Sequence, residues 1–204
     1  MKKRVPLYAL VIAVILLSLS LWINHSYASQ QKQIRNGLLS DSFVALHDIS
    51  MNLEFLLEGI ESQSWSYEEC ENRLTTLSQH FTQLHFSLKT FATYFPPPGR
   101  VQNTYSGIID FTFVGRTLTG KQGSMNDRKY SGITADNAIS PNEVQYLKTL
   151  KAELDIVKEA FALEDDPYRM RENMTSSYVN EVLKDCLVQW HTINPESPLY
   201  LLME

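Results

Sequence analysis

Residues 67–95, YEECENRLTTLSQHFTQLHFSLKTFATYF, carry the clearest structural pattern in the chain. Apolar side chains recur there at alternating intervals of three and four residues, the spacing that places them on one face of an α-helix. Ser66 and Glu69 match a capping box at the start, and Pro96, which cannot continue a helix, marks the end. The pattern predicts a helix over 66–95. Its apolar positions are Tyr67, Cys70, Leu74, Leu77, Phe81, Leu84, Leu88, Phe91 and Phe95.

Three further segments have helical spacing, over about 31–62, 141–164 and 177–191. The third predicted helix starts at Ser140-Pro141, where serine caps and proline suits the first turn. Between Asn72 and Phe95 the only charged residues are Arg73 and Lys89, which favours packing within one chain over a free-standing coiled coil. We predict a mainly all-α fold, in which an N-terminal transmembrane or signal helix precedes a four-helix bundle-like domain. The remaining segment, 96–139, is predicted as an irregular insertion with room for a short hairpin.

The N-terminus combines a basic start with an uncharged apolar run. Lys2, Lys3 and Arg4 precede the 19 residues from Val5 to Ile23, none of which is charged. At about 1.5 Å per residue this run spans about 28 Å, close to the hydrocarbon thickness of a bilayer. Basic residues favour the cytoplasmic side, so residues 1–28 are predicted as a single-pass anchor with the rest of the chain extracytoplasmic.

A cleaved signal peptide is the alternative to the anchor. Ser26-Tyr27-Ala28 supplies small residues for a cut after Ala28, and the product would then be secreted. The apolar run is longer than the about 7–15 residues typical of signal peptides, which favours retention. In either case residues 29–204 lie where a disulfide between Cys70 and Cys186 is allowed; two separate buried thiols are the alternative.

The exported part of the chain is acidic. The chain has 18 basic and 23 acidic residues, and removal of the three basic N-terminal residues leaves 15 against 23, a net charge of −8. Nucleic acids require clustered basic residues, so no nucleic-acid binding is expected. Acidic residues gather around the turn between the first two helices, as a surface for a basic partner or a loosely held cation, or simply as a solvated face. They are Glu54, Glu58, Glu61, Glu68, Glu69 and Glu71.

The segment VGRTLTGKQGS, residues 114–124, is similar to a phosphate-binding loop. Gly115 is followed by four residues and then Gly120-Lys121, but Gln122 stands where a magnesium-binding Ser or Thr is required. The flanking helical patterns also leave no parallel sheet to hold such a loop. We predict no nucleotide binding and an exposed glycine loop. The preceding IIDFTF looks strand-like, although Ile108, Phe111 and Leu118 also share one helix face.

Residues 136–143 are similar to the second half of an EF-hand loop, with Asp136 and Glu143 as calcium candidates. Gly132 and Thr134 stand where the first two carboxylates belong, and a capping box accounts for Glu143 without calcium. No metal site, cofactor or catalytic set is predicted. The titratable residues that an enzyme would draw on are Asp110, Lys121, Asp136 and Glu143.

Three runs, Tyr130-Ser131-Gly132-Ile133, 136–140 and 143–148, together with the anchor, resemble a pattern in small exported, single-anchor proteins of Gram-positive bacteria. The resemblance covers the anchor and residues 105–160, and this group has no assigned activity. It implies an extracytoplasmic location and a mostly helical fold, and it transfers no site. The leading hypothesis is a non-enzymatic module that binds a protein partner. A small-ligand-binding or sensor-like ectodomain is the alternative, and an enzyme of unknown class is third.

Overall fold

The computed structural model describes residues 4–96, 111–120, 123–125, 128–130, 132–172, 174–187 and 201–202. It is mostly helical, with 80% helix in five helices, and it begins with a long apolar helix. The mainly helical fold and the long apolar N-terminal helix of the predicted fold class are thereby confirmed. The chain divides into two compact units, Met1–Gly37 and Leu38–Glu204.

The first unit is formed by the N-terminal part of helix α1, which spans Arg4–Glu61. Every residue from Tyr8 to Ile23 is exposed, including Trp22 at 66%. Contiguous apolar surface of this extent is rare on a soluble protein. By length and composition this helix can cross a membrane, and a signal sequence has the same properties. The predicted membrane segment ends, Val5 and Ile23, both lie within α1.

The second unit holds the rest of α1 and four more helices. These are α2 (Tyr67–Tyr94), α3 (Phe111–Leu118), α4 (Pro141–Phe161) and α5 (Ser176–Leu187). The predicted helices over 66–95 and 141–164 correspond to α2 and α4, and the one over 177–191 corresponds to α5 as far as residue 187. The predicted helix over 31–62 is the second half of α1, which continues through Gly37 without a break.

Capping boxes set the starts of α2 and α4. Ser66 Oγ accepts from the Glu69 amide, and the Glu69 carboxylate accepts from the Ser66 amide at 2.7 Å. Ser140 and Glu143 repeat the arrangement, with 2.6 Å between the Ser140 nitrogen and Glu143 Oε2. Each box gives partners to amide groups that a helix start otherwise leaves without an acceptor.

One apolar core joins the elements of the second unit. α1 and α2 are connected through residues 62–66, and Arg73 of α2 contacts Asn52 of α1. Along α1 and α4 the contacts run in opposite order, Ser50 with Asp155 and Glu61 with Lys148, so these helices are antiparallel. Fully buried core side chains come from α1, α2, α3 and α4: Leu46, Ile49, Leu53, Leu56, Leu74, Leu77, Phe81, Leu84, Leu118, Leu147, Leu154 and Phe161.

The described parts of the 96–139 insertion are more regular than their composition predicts. Residues 111–113 are helical, so the strand-like interpretation of IIDFTF is wrong for this part and the helical alternative holds. The reason is tertiary packing, because Phe111, Val114 and Leu118 share one buried face against α2. A short antiparallel hairpin follows, β1 (Gly123–Met125) with β2 (Arg128–Tyr130), in which Ser124 pairs with Lys129.

α4 ends at Phe161, three residues before the predicted boundary, because the chain reverses there. Strand β3 (Ala162–Leu163) pairs with β4 (Asp166–Met170) in an antiparallel hairpin that the sequence pattern did not indicate. The Arg171 amide, directly after β4, donates a hydrogen bond of 2.7 Å to the Phe161 carbonyl at the end of α4.

Candidate functional site

An open groove of about 340 Å³ lies beside the turn between α1 and α2, lined by Trp65, Glu69, Asn72, Arg73 and Thr76. The Trp65 indole lies directly on the backbone of Gly59, where an added Cβ would come within 2.4 Å of the ring. The Arg73 guanidinium lies over the same ring, 5.4 Å from its centroid, as a cation–π contact. Glycine at position 59 therefore makes room for the indole between α1 and Arg73.

A hydrogen-bonded chain holds Arg73 in this position. Its Nη1 donates to Asn52 Oδ1 at 2.6 Å, and Asn52 Nδ2 donates to the Asp48 carbonyl at 2.7 Å. The amide of Asn52 is thus oriented by its own helix so that its oxygen faces α2. Planar guanidinium and indole groups fixed in this way lose little conformational freedom on contact with a partner.

One member of the predicted acidic cluster, Glu69, lines this groove, and part of the cluster is engaged within the fold. Glu61 pairs with Lys148, and Glu54 lies 3.9 Å from Lys151. The Glu69 carboxylate accepts hydrogen bonds from the Ser66 backbone and side chain, which lower its pKa. The carboxylates of Glu58, Glu68 and Glu71 are exposed at the surface.

A second polar cluster joins α1 to α4. Ser50 Oγ donates to Asp155 Oδ1 at 2.5 Å, Lys151 Nζ donates to Asp155 Oδ2 at 2.7 Å, and Lys158 Nζ lies 3.1 Å from Oδ1. Burial by itself would raise the pKa of Asp155, but the hydrogen bonds from Lys151, Ser50 and Lys158 outweigh it and lower the pKa. The carboxylate is therefore ionised at neutral pH.

Ser50 and Lys158 are of chemical interest because a Ser–Lys pair can act as nucleophile and base. Lys158 Nζ does donate to Ser50 Oγ at 3.0 Å. The Ser50 hydroxyl, however, is 1% exposed and gives its own proton to Asp155. The same carboxylate also pairs with Lys158, whose Nζ lies 3.1 Å from Asp155 Oδ1. This cluster stabilises the contact between two helices and presents no reachable nucleophile.

Two glycines of the segment that is similar to a phosphate loop serve close packing, so the prediction of an exposed glycine loop is wrong for Gly115. Gly115 is buried within α3, where an added Cβ would lie 3.0 Å from the Ser78 carbonyl oxygen of α2. Gly120 has a φ of 69°, the left-handed region that glycine tolerates, and its backbone lies against Gly132 and Thr134. Residues 121 and 122, which include the lysine of the motif, lie outside the described residues.

The calcium candidates each have a local role. Asp136 Oδ1 accepts from the Ala138 amide at 3.1 Å, and the Glu143 carboxylate caps α4 through Ser140. Burial raises the pKa of Glu143, against the lowering effect of the Ser140 hydrogen bonds, and the nearby charge of Asp136 adds to the rise. Among the described residues no group of three or more His, Cys, Asp or Glu side chains is placed to hold a metal ion. Asp110, the remaining titratable candidate, lies outside the described residues.

The remaining predicted positions fall in or near helices. Cys70 is buried, and burial raises the pKa of its thiol, with a smaller contribution from Glu69. Cys186 belongs to α5, but its side chain lies outside the described part of the chain, so the disulfide stays a prediction. Ala28, the predicted cleavage position, lies inside α1.

The groove around Trp65 and Arg73 was missed by the sequence analysis. A usable signal exists, because Trp65 is a single large aromatic residue in the otherwise polar turn 62–66. Trp and Arg are also the residue types most enriched where proteins bind one another. Comparison of the chain with protein-family models, with curated proteins and with solved structures finds no match in any of the three.

Proposed function

We propose that this protein is a membrane-tethered extracytoplasmic module that binds a protein partner without catalysing a reaction. The apolar residues from Tyr8 to Ile23 support the tether, because their exposed side chains match the length and composition of a span. The basic residues at positions 2–4 support a cytoplasmic N-terminus, which places the second unit outside the cytoplasm.

The second unit is proposed to be a four-helix bundle-like domain built from the second half of α1 with α2, α4 and α5. Its support is the single core to which all four helices contribute, including Val179 and Leu183 of α5. Short connections between antiparallel helices, such as residues 62–66, are typical of such bundles. In this arrangement the turn between α1 and α2 lies at one end of the bundle.

The groove at that turn is the observation that carries partner binding. The Arg73 guanidinium lies over the Trp65 indole and is hydrogen-bonded to Asn52, beside an open cavity that Glu69, Asn72 and Thr76 also line. Rigid aromatic and guanidinium groups surrounded by polar side chains are typical of the energetically dominant part of a protein interface.

Crosslinking of the full chain in the membranes of its host tests this proposal. We expect a reproducible adduct with a second protein that is lost on Thr76→Arg, which fills the groove, and kept on Thr75→Arg, its exposed neighbour outside the groove. Loss of the adduct in both variants, or an adduct in neither the wild type nor the variants, would contradict partner binding at this site.

A small-ligand-binding or sensor-like function is the second candidate, because the groove volume of about 340 Å³ falls at the lower end of the range for ligand pockets. A thermal-shift screen of metabolites against the purified full chain tests it. A ligand that raises the unfolding temperature of Thr75→Arg and not of Thr76→Arg would favour this candidate over a protein partner. Without such a ligand the candidate is rejected.

A further inference from the structure

α1 carries a second apolar stripe, on the side opposite to the core. Val44, Met51 and Phe55 are 51%, 41% and 48% exposed, whereas Ile49 and Leu53 on the same helix are fully buried. Spacings of seven and four residues place the three exposed side chains in one row along the helix. A solvated helix face carries mainly polar residues, so this row is an apolar surface without a covering element among the described residues.

The row is bordered by carboxylates. Asp48 and Glu58 interleave with it at the spacing 48, 51, 55, 58, and we call the five residues Val44, Asp48, Met51, Phe55 and Glu58 the α1 outer face. Asp48 and Glu58 take part in no ion pair within the described residues. From residue 36 to residue 72 the sequence holds eight acidic residues and no Lys or Arg, so the surroundings reinforce the negative potential.

Aromatic side chains extend this surface on both flanks. On one side Tyr168 of β4, 74% exposed, packs edge-on against His47, with 5.3 Å between the ring centroids. His47 lies one helical turn from both Val44 and Met51. On the other side Phe55 lies one turn from Gly59, on which the Trp65 indole rests. The apolar surface thus continues from the α1 outer face toward the groove.

We propose that the α1 outer face binds a cationic amphipathic helix of a protein partner. The inference rests on the proposed function and names the surface and the partner chemistry. A helix that docks lengthwise presents apolar side chains at intervals of three, four and seven residues, which match Val44, Met51 and Phe55. Lys and Arg beside that stripe would meet Asp48 and Glu58, and such complementary charges select the partner and speed its association.

Charge argues against the two other occupants of an exposed apolar row. A second copy of this chain would bring Asp48 and Glu58 against the same carboxylates in both parallel and antiparallel pairing, which is electrostatically unfavourable. An anionic lipid surface would be repelled in the same way. A cationic amphipathic helix has apolar side chains that can cover the row and basic side chains that can pair with the acidic residues beside it.

Photocrosslinking at single positions tests where the partner binds. A photoreactive amino acid is placed at position 51 of the full chain, at position 76 in the groove, or at position 156, where Ile156 is 51% exposed on α4. In host membranes we expect an adduct from position 51 and none from position 156. Mass spectrometry should identify the crosslinked partner segment as a helix with an apolar stripe and flanking Lys or Arg.

The other outcomes separate this inference from the proposed function. Adducts from position 76 alone would overturn docking on the α1 outer face and leave partner binding intact. An adduct of two copies of this chain, or a crosslinked segment that is acidic, would also overturn it. No adduct with another protein from any of the three positions would contradict both proposals.

A defined probe measures the chemistry directly. The probe is a synthetic amphipathic helix with a leucine stripe and flanking lysines, and its control has glutamates in place of the lysines. Binding is measured to the full chain in discs of zwitterionic lipid, with empty discs subtracted. We expect Met51→Ser with Phe55→Ser to weaken binding at least about tenfold, and Ile156→Ser to change it less than about twofold.

The charge requirement is tested by Asp48→Asn with Glu58→Gln. We expect roughly threefold to tenfold weaker binding of the lysine probe and a smaller loss of affinity with added salt. Equal binding of the lysine and glutamate probes, or no loss in the Met51 and Phe55 double variant, would overturn the proposal. Helix content and unfolding temperature, expected to match the wild type, show that each variant is folded.

Discussion

The carboxylate of Asp155 illustrates how single polar residues fix the contacts between helices in this protein. It accepts from Ser50 of α1 and from two lysines of α4, so a partly buried charge has a donor on each side. Thr117 and Tyr146, both fully buried, share a hydrogen bond of 2.8 Å between α3 and α4 in the same manner. Such pairs set the register of neighbouring helices, because an unpaired buried polar group is costly.

Asp155→Ala is expected to lower the free energy of unfolding by about 2 kcal/mol, because it leaves Lys151, Lys158 and the Ser50 hydroxyl without their shared acceptor. The side chain of Asp155 is 25% exposed, which keeps the cost below that of a fully buried pair. Urea denaturation of the full chain in detergent measures it. Glu164→Gln is the control. The Glu164 side chain is 90% exposed and its ion pair with Arg171 is long, at 4.0 Å, so removal of this charge should change stability by about 0.5 kcal/mol or less.

The same carboxylate predicts a pH dependence of stability. Its pKa in the folded protein lies below the ordinary value of 3.8, so the ionised form stabilises the fold. That contribution is complete above the pKa of the unfolded chain and is lost as the pH falls through the lower folded pKa. The stability difference between wild type and Asp155→Asn should therefore be constant near pH 7 and shrink below about pH 4. A stability difference that stays constant or grows as the pH falls from about 5 to about 3 would contradict the role assigned to Asp155.

Secondary-structure elements that depend on local sequence patterns can be predicted from the sequence. α2 and α4 each combine a capping box with an unbroken apolar stripe, so Ser66 and Ser140 mark their starts to the residue. By contrast, α3 and the β3–β4 hairpin cannot be predicted from local sequence patterns. α3 has only eight residues and depends on packing against α2, and the two-residue strand β3 carries no periodic signal. The Trp65–Arg73 groove depends on Gly59, a contact that no spacing rule reveals.

Ser66→Ala and Ser140→Ala are each expected to destabilise the second unit by about 1 kcal/mol, because an amide at the helix start loses its acceptor. Chemical denaturation monitored by circular dichroism measures the change. Gln83→Ala, at an exposed position in the interior of α2, is the matched control and should leave stability within about 0.5 kcal/mol. A loss of stability in Gln83→Ala as large as in the serine variants would argue against a specific capping effect.

Helix α1 contains Gly37, at the end of the first unit, and Gly59, in its second half. We expect replacement by alanine to change stability in opposite directions at these two positions. Gly59→Ala places a methyl group 2.4 Å from the Trp65 ring, so the indole must move and stability should fall by about 1–3 kcal/mol. Gly37 has no atom within 4 Å of the added Cβ, and alanine there should be neutral or favourable because of its higher helix propensity. Thermal unfolding and tryptophan fluorescence measure both. Equal behaviour of the two variants would mean that the indole does not pack on Gly59.

In the whole molecule, charged residues are distributed unevenly along the chain, so that one part is compatible with lipid and another with water. Residues 5–23 contain no charge, whereas residues 36–72 contain eight acidic residues and no basic ones. On α1, exposed apolar residues are dense from Tyr8 to Ile23, whereas in the second unit they are confined to a narrow row on the α1 outer face. Both distributions support the proposed tether and the proposed acidic, partner-binding surface.

The intact mass of the protein isolated from its host tests the tether. We expect residues 1–28 to be retained in the membrane fraction, because the apolar run exceeds the length of a typical signal peptide and Ala28 lies within a continuous helix. Proteolytic sites concentrate in exposed irregular segments, whereas the chain around Ala28 is helical.

Ala28→Leu is the matched variant, because a large side chain at this position blocks cleavage by signal peptidase. If the anchor is retained, the wild type and Ala28→Leu differ in mass only by the substitution and both stay in the membrane fraction. A wild-type mass that corresponds to residues 29–204, restored to full length by Ala28→Leu, would show that the protein is secreted. The α1 outer face would then belong to a secreted protein.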